Sequence, residues 1–115
     1  MTKIAKSHEN AVRTLHNFKT RSNRLKVRHK QLTTKISDIT FKLAKKQKRT
    51  DRIRGRSATK QSTIDNNEKY IEKRRIEIER RSLELRRLDQ KIQVLNTKIE
   101  KKVQVVEKLQ TKLSI

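Results

Sequence analysis

Thirteen basic side chains carry the first chemical signal in this chain: Arg21, Arg24, Arg28, Lys35, Lys42, Lys45, Lys46, Lys48, Arg49, Arg52, Arg54, Arg56 and Lys60. From Asn10 to Ser37 there is no acidic residue, and from Lys42 to Lys60 the only one is Asp51. Lys and Arg concentrated in this way neutralise phosphates and release the counterions condensed on a polyanion, which gives tight, salt-sensitive and sequence-tolerant binding. The spacing adds geometry, because Arg21, Arg28, Lys35, Lys42, Arg49 and Arg56 recur every seven residues. On a helix that interval places a charge about every 10.5 Å along one edge.

Other chemistries have little support. The chain has no cysteine and one glycine, so neither a thiolate nucleophile nor a glycine-rich phosphate loop can be built. His8, His16 and His29 lie too far apart along a helix to share a metal, and no cofactor or metal is expected. The aromatic residues are Phe18, Phe41 and Tyr70, too few and too scattered to form a base-stacking platform. No enzymatic activity and no small-molecule substrate are expected.

The elements that position the basic residues follow from the hydrophobic repeat. Of 115 residues, 33 are Lys or Arg and 12 are Asp or Glu, a net charge of +21, while 30% are apolar and none is Pro, Cys or Trp. That is too little apolar material for a sheet sandwich or an α/β domain, and too broken for a membrane span. A disordered basic tail would share this composition but not its periodicity. With heptad position a at Met1, the unshifted frame places 22 apolar residues at a or d, 12 at a and 10 at d, where indifference would place about 10. A 3.5-residue apolar repeat keeps one seam facing a partner helix, so the chain is expected to be all-α and coiled-coil.

Two architectures share this frame: an antiparallel helical hairpin, and one continuous helix in a parallel oligomer. In the parallel form Lys46, Lys60, Arg74, Arg81 and Lys102 would each meet their own copy. In the hairpin, residues whose numbers sum to 117 face one another. Ile4 then meets Leu113, Ala11 meets Val106, Phe18 meets Ile99, Leu25 meets Ile92, Leu32 meets Leu85, and Ile39 meets Ile78. His8, Ser22, His29, Lys102, Arg81 and Arg74 each face an apolar residue, and only Thr50 and Asn67 are polar on both sides. The hairpin is the favoured reading, as a single elongated unit with helices over about 3–54 and 63–114 and a basic loop at 55–62. Gly55 is expected to end the first helix in a left-handed conformation. Ser62 with Asp65 reads as a capping box for the second. Along the flanks, Lys35 is expected opposite Glu84, Lys42 opposite Glu77 and Lys26 opposite Asp89, with like charges where Arg21 meets Lys98 and Arg28 meets Lys91.

The charge is uneven, with +15 over residues 1–57 and +6 over 58–115. These features point to a non-enzymatic protein that binds the phosphate backbone of duplex DNA or structured RNA with little sequence specificity, in a structural or packaging role in a virion, chromosome or ribonucleoprotein. The basic tip from Lys42 to Lys60 is the expected point of entry. The alternative is a scaffold whose basic edge docks an acidic protein. Membrane binding is disfavoured because the apolar face is committed to the seam. Ile76 and Leu83, seven apart and outside the seam, suggest homo-oligomerisation. The expected location is intracellular (cytoplasm, nucleoid or nucleus) or inside a virion, and not secreted.

Overall fold

A computed structural model describes residues 2–56 and 60–115. Two long helices account for nearly all of it: α1 spans Lys3–Arg54 and α2 spans Gln61–Ser114, with no strand among the described residues. The protein is an antiparallel coiled-coil helical hairpin. Part of the expected loop, and the heptad positions Met1 and Ser57, lie outside the described residues.

The seam is where the heptad frame places it. Among the described residues ten are buried, Ala11, Ser22, Leu32, Ile39, Thr50, Ile64, Asn67, Ile71, Leu88 and Leu95, and every one occupies an a or d position. By packing, the chain divides into two compact units. A terminal unit comprises Met1–His29 with Arg87–Ile115, and a central unit comprises Lys30–Arg86. In the terminal unit His29 Nε2 lies 2.7 Å from Asp89 Oδ1. In the central unit Arg54 pairs with Glu68, Arg75 Nη2 donates to Gln47 Oε1 at 3.4 Å, and Lys46 Nζ lies 5.4 Å from the centre of the Tyr70 ring. These cross-helix contacts join residues whose numbers sum to between 116 and 122, as the register at 117 requires.

Helix ends are made differently from expectation. Thr2 caps α1, its Oγ1 accepting from the Ala5 amide at 3.1 Å, which satisfies one of the free amides of a first turn. At the other end Gly55 is not left-handed. The chain instead leaves α1 through a tight turn in which the Arg56 amide donates to the Ile53 carbonyl at 2.9 Å, while Arg52 and Arg54 place positive charge at the negative end of the helix dipole. A Cβ at Gly55 would sit 3.5 Å from the Arg52 carbonyl oxygen, an ordinary contact, so the position does not demand glycine. The expected capping box at Ser62 is replaced by a start two residues earlier. α2 begins at Gln61, the Thr63 amide donates to the Lys60 carbonyl at 3.0 Å, and Asp65 accepts from Gln61 Nε2 at 3.0 Å. Ser62 is therefore already inside the first turn and cannot serve as its cap.

Polar seam residues are accommodated by local partners. Thr50 is fully buried, and its hydroxyl donates to the Lys46 carbonyl at 2.8 Å. Arg74 and Arg81, both at d positions, converge on Glu77 of their own helix, Arg74 Nη1 at 2.5 Å and Arg81 Nη2 at 3.0 Å. The stems cover the seam while the guanidinium groups meet a carboxylate at its rim. Glu77 is thus bridged within α2, whereas the flank pattern places it opposite Lys42, and Asp89 takes His29, whereas the flank pattern places it opposite Lys26.

Candidate nucleic-acid interface

Of the thirteen basic residues singled out from the sequence, eleven fall on α1, Arg56 lies just after it and Lys60 directly precedes α2. Arg21, Arg24 and Arg28 are in the terminal unit, and the remaining ten are in the central unit. All are solvent-exposed except Lys46. Lys46 is half-buried because its ammonium leans toward Tyr70, which also receives Arg74 at 5.2 Å. Cations held over a ring in this way gain about 0.5–1 kcal/mol each at an exposed site, so Lys46 and Arg74 are partly committed to the fold. Arg54 is engaged with Glu68 and lies 3.9 Å from Asp51. Lys45 lies 4.6 Å from the Phe41 ring on the same helix. The tip is thus basic, but several of its cations already have partners.

The heptad positions show what each side of the hairpin offers. In an antiparallel pair the g positions of the two helices are neighbours, and c lies beside g, so the c and g residues of both helices share one side. In the terminal unit that side carries Lys3, Arg21, Arg24 and Arg28 from α1 and Arg87, Lys91, Lys98, Lys101, Lys108 and Lys112 from α2, all exposed. It carries no acidic residue. The four acids of this unit, Glu9, Asp89, Glu100 and Glu107, all occupy b or e positions. In the central unit the same side carries Lys35, Lys42, Lys45, Arg49, Arg52, Arg56, Lys73 and Arg80, but it also holds Asp38, Glu77 and Glu84.

The six α2 residues of the terminal face were not among the thirteen. Read along the chain, Arg87 to Lys112 is a mixed, moderately basic zipper, and its one-sidedness emerges only when c and g positions are separated from b and e. Within this unit Arg21 of α1 and Lys91 and Lys98 of α2 line one shallow groove of about 390 Å³, floored by Leu25, Val94 and Leu95. Arg21 and Lys98, expected near one another across the two helices, thus border one groove, and Lys91 borders it with them.

A helix face of this kind can neutralise a run of anions. Along α2 the cations come in pairs, Arg87 with Lys91, Lys98 with Lys101 and Lys108 with Lys112, about 5–6 Å apart in rise within a pair and about 10.5 Å between pairs, where Val94 and Val105 intervene. No group of His, Asp or Glu among the described residues is gathered to hold a metal ion, and none of the described helices is long and apolar enough to cross a membrane. Site and fold together define a basic antiparallel coiled-coil hairpin whose terminal unit has an acid-free c and g side. Compared with known protein families, curated proteins and solved structures, the chain finds no match.

Proposed function

We propose that this protein binds the phosphate backbone of nucleic acid, duplex DNA or structured RNA, with little sequence specificity, in a structural or packaging role. The observation that carries this reading is the acid-free c and g side of the terminal unit, where ten exposed cations from two helices stand together. A surface that serves only solubility interleaves both signs to limit self-repulsion. A face that segregates them, with Arg21, Lys91 and Lys98 around one groove, suits a partner that brings the missing negative charge. The basic residues of the central unit, Lys35 to Lys60, offer a separate set of cations to the same kind of partner. Backbone binding is favoured over base reading because Tyr70 is occupied by Lys46 and Arg74, and Phe18 is half-buried in the seam. Such a role places the protein wherever nucleic acid is condensed: the cytoplasm, a nucleoid, a nucleus or a virion.

Fluorescence-anisotropy titrations against a random-sequence duplex, a structured RNA and polyglutamate, each at several salt concentrations, test the reading. About six phosphate contacts give a slope near −5 in log K against log salt, with similar affinity for unrelated duplex sequences. Binding of polyglutamate as tightly as duplex at equal salt would favour the acidic-protein scaffold instead and overturn the proposal.

A further inference from the structure

Along α2 of the terminal unit, from 87 to 112, every c and g position holds Lys, Arg or Val. The order is regular: two cations, one valine, two cations, one valine, two cations. Val94 is 57% exposed and Val105 41%, so both valines stand on the surface of the basic side. A lone exposed valine needs no explanation, but here valines recur in step with the cation pairs. The facing residues of α1 follow the same repeat. In the register at 117, Arg28 falls between Arg87 and Lys91, Arg21 falls two residues from Lys98, and Lys3 falls two residues beyond Lys112. Arg24 alone falls between clusters.

The repeat has the dimension of a double helix. The midpoints of successive pairs on α2 are ten and a half residues apart, which is about 16 Å of helix. A B-form duplex completes a turn in about 34–36 Å, and a straight line drawn along its surface meets a phosphate backbone twice per turn, on average every ~17–18 Å. Its two grooves differ in width, about 6 and 12 Å, a difference that long, rotatable Lys and Arg side chains take up. A flexible single strand has no such fixed interval. We propose that duplex DNA lies parallel to the terminal unit, with the three cation clusters on three successive backbone crossings. Val94 and Val105 then stand over the intervening grooves, where a cation would find no phosphate. The assignment rests on nucleic-acid binding by this side, and adds to it the form of the nucleic acid and its orientation.

An exchange that conserves charge and composition reads the spacing alone. V94K/K98V/K101V/V105K moves the middle pair outward and leaves the middle crossing without its α2 cations, while the number of cations on the side is unchanged. All four positions are exposed, and circular dichroism monitors helicity. Anisotropy titrations at several salt concentrations compare a random-sequence duplex of about 20 base pairs with oligothymidylate of the same length. On the duplex the exchange should lower affinity about tenfold at 0.1 M salt and make the salt slope shallower by about 2, as two phosphate contacts are lost. On oligothymidylate, which bends to wherever the cations stand, affinity should stay within about twofold. A second variant, V94K/V105K, exchanges valine for a better helix former and adds two cations over the grooves. It should steepen the slope on oligothymidylate by about 1.4 and leave the duplex slope unchanged. A duplex slope that steepens equally with V94K/V105K, or a duplex affinity that the fourfold exchange leaves intact, overturns the alignment while nucleic-acid binding stands. Absence of salt-dependent binding of either polymer by the wild type overturns both.

Discussion

The two units of the hairpin are built from the same heptad, yet they treat polar and charged groups in opposite ways. In the central unit the buried Thr50 hydroxyl donates to the Lys46 carbonyl, the seam arginines Arg74 and Arg81 share Glu77, and Arg54 has Glu68. In the terminal unit Ser22 Oγ and His8 Nε2 are buried with no hydrogen-bond partner, and Arg21 stands in one groove with Lys91 and Lys98. The central unit shares carboxylates among its seam cations, whereas the terminal unit, which holds the pairs Glu9–Arg13 and His29–Asp89, keeps its acids off the c and g side. An unpaired buried polar group costs about 1–3 kcal/mol, so the terminal unit gives up stability in its seam at Ser22 and His8, and like charges brought together on its basic side cost several tenths more.

The largest effects should come from the seam. Leu32 of the central unit is 2% exposed, and Leu32→Ala should cost about 3 kcal/mol in urea unfolding, through lost burial and the cavity left behind. Ser22 of the terminal unit is equally buried, but Ser22→Ala should stabilise by about 1 kcal/mol because it removes an unpaired hydroxyl. Equal losses at both positions would mean that the two units do not differ in polar satisfaction.

Next in size is the response of the basic side. The triple substitution Arg21→Gln, Lys91→Gln and Lys98→Gln should lower affinity for a random duplex by about tenfold at 0.1 M salt and make the salt slope shallower by about 3. It should also raise stability, by about 0.5–1 kcal/mol, since it removes like-charge repulsion across the groove. In the central unit, Lys42→Gln, Arg49→Gln and Arg56→Gln should reduce affinity less and bring a smaller gain in stability, because Glu77 and Glu84 share that side. Loss of affinity without a gain in stability from the terminal triple would show that its cations do not repel one another in the free protein.

Much of this was legible in the sequence because the seam repeats every seven residues without a break. Ala11, Ile39 and Leu95 are buried where the frame puts them, and even the polar pair Thr50 and Asn67 is buried as the register requires. What escaped was local and competitive. Residue type alone favours a left-handed glycine, but the tight turn closing on Ile53 leaves Gly55 in an ordinary conformation. Ser62 has the composition of a cap, but the start of α2 at Gln61 precedes it. Glu77 could have reached Lys42 across the helices or the arginines on its own helix, and the shorter intrahelical reach won. At the interface, the α1 stripe was visible as a run along the chain, whereas Lys91, Lys98, Lys101, Lys108 and Lys112 became a surface only once α2 was folded back beside α1 and its c and g positions were separated from Glu100 and Glu107.

The smallest effect probes how the central unit holds its own charges. Hydrogen bonds from Arg74 and then Arg81 hold the Glu77 carboxyl below the usual glutamate range. A carboxylate whose pKa is lowered on folding stabilises the folded state fully at pH values above its unfolded pKa, and that contribution is lost as pH falls through the lowered, folded value. Wild type should therefore melt above Glu77→Gln at pH 7, and the difference should shrink from about pH 4 downward as Glu77 takes up its proton. Thermal melts of the two proteins at pH 7, 4 and 2 measure it. The contribution is small because the cluster is at the rim of the seam and open to solvent, where ion pairs are screened. A difference that stays constant across this range would mean that Glu77 acts through its shape and amide-like hydrogen bonding, and that the seam arginines of the central unit need no carboxylate to neutralise them.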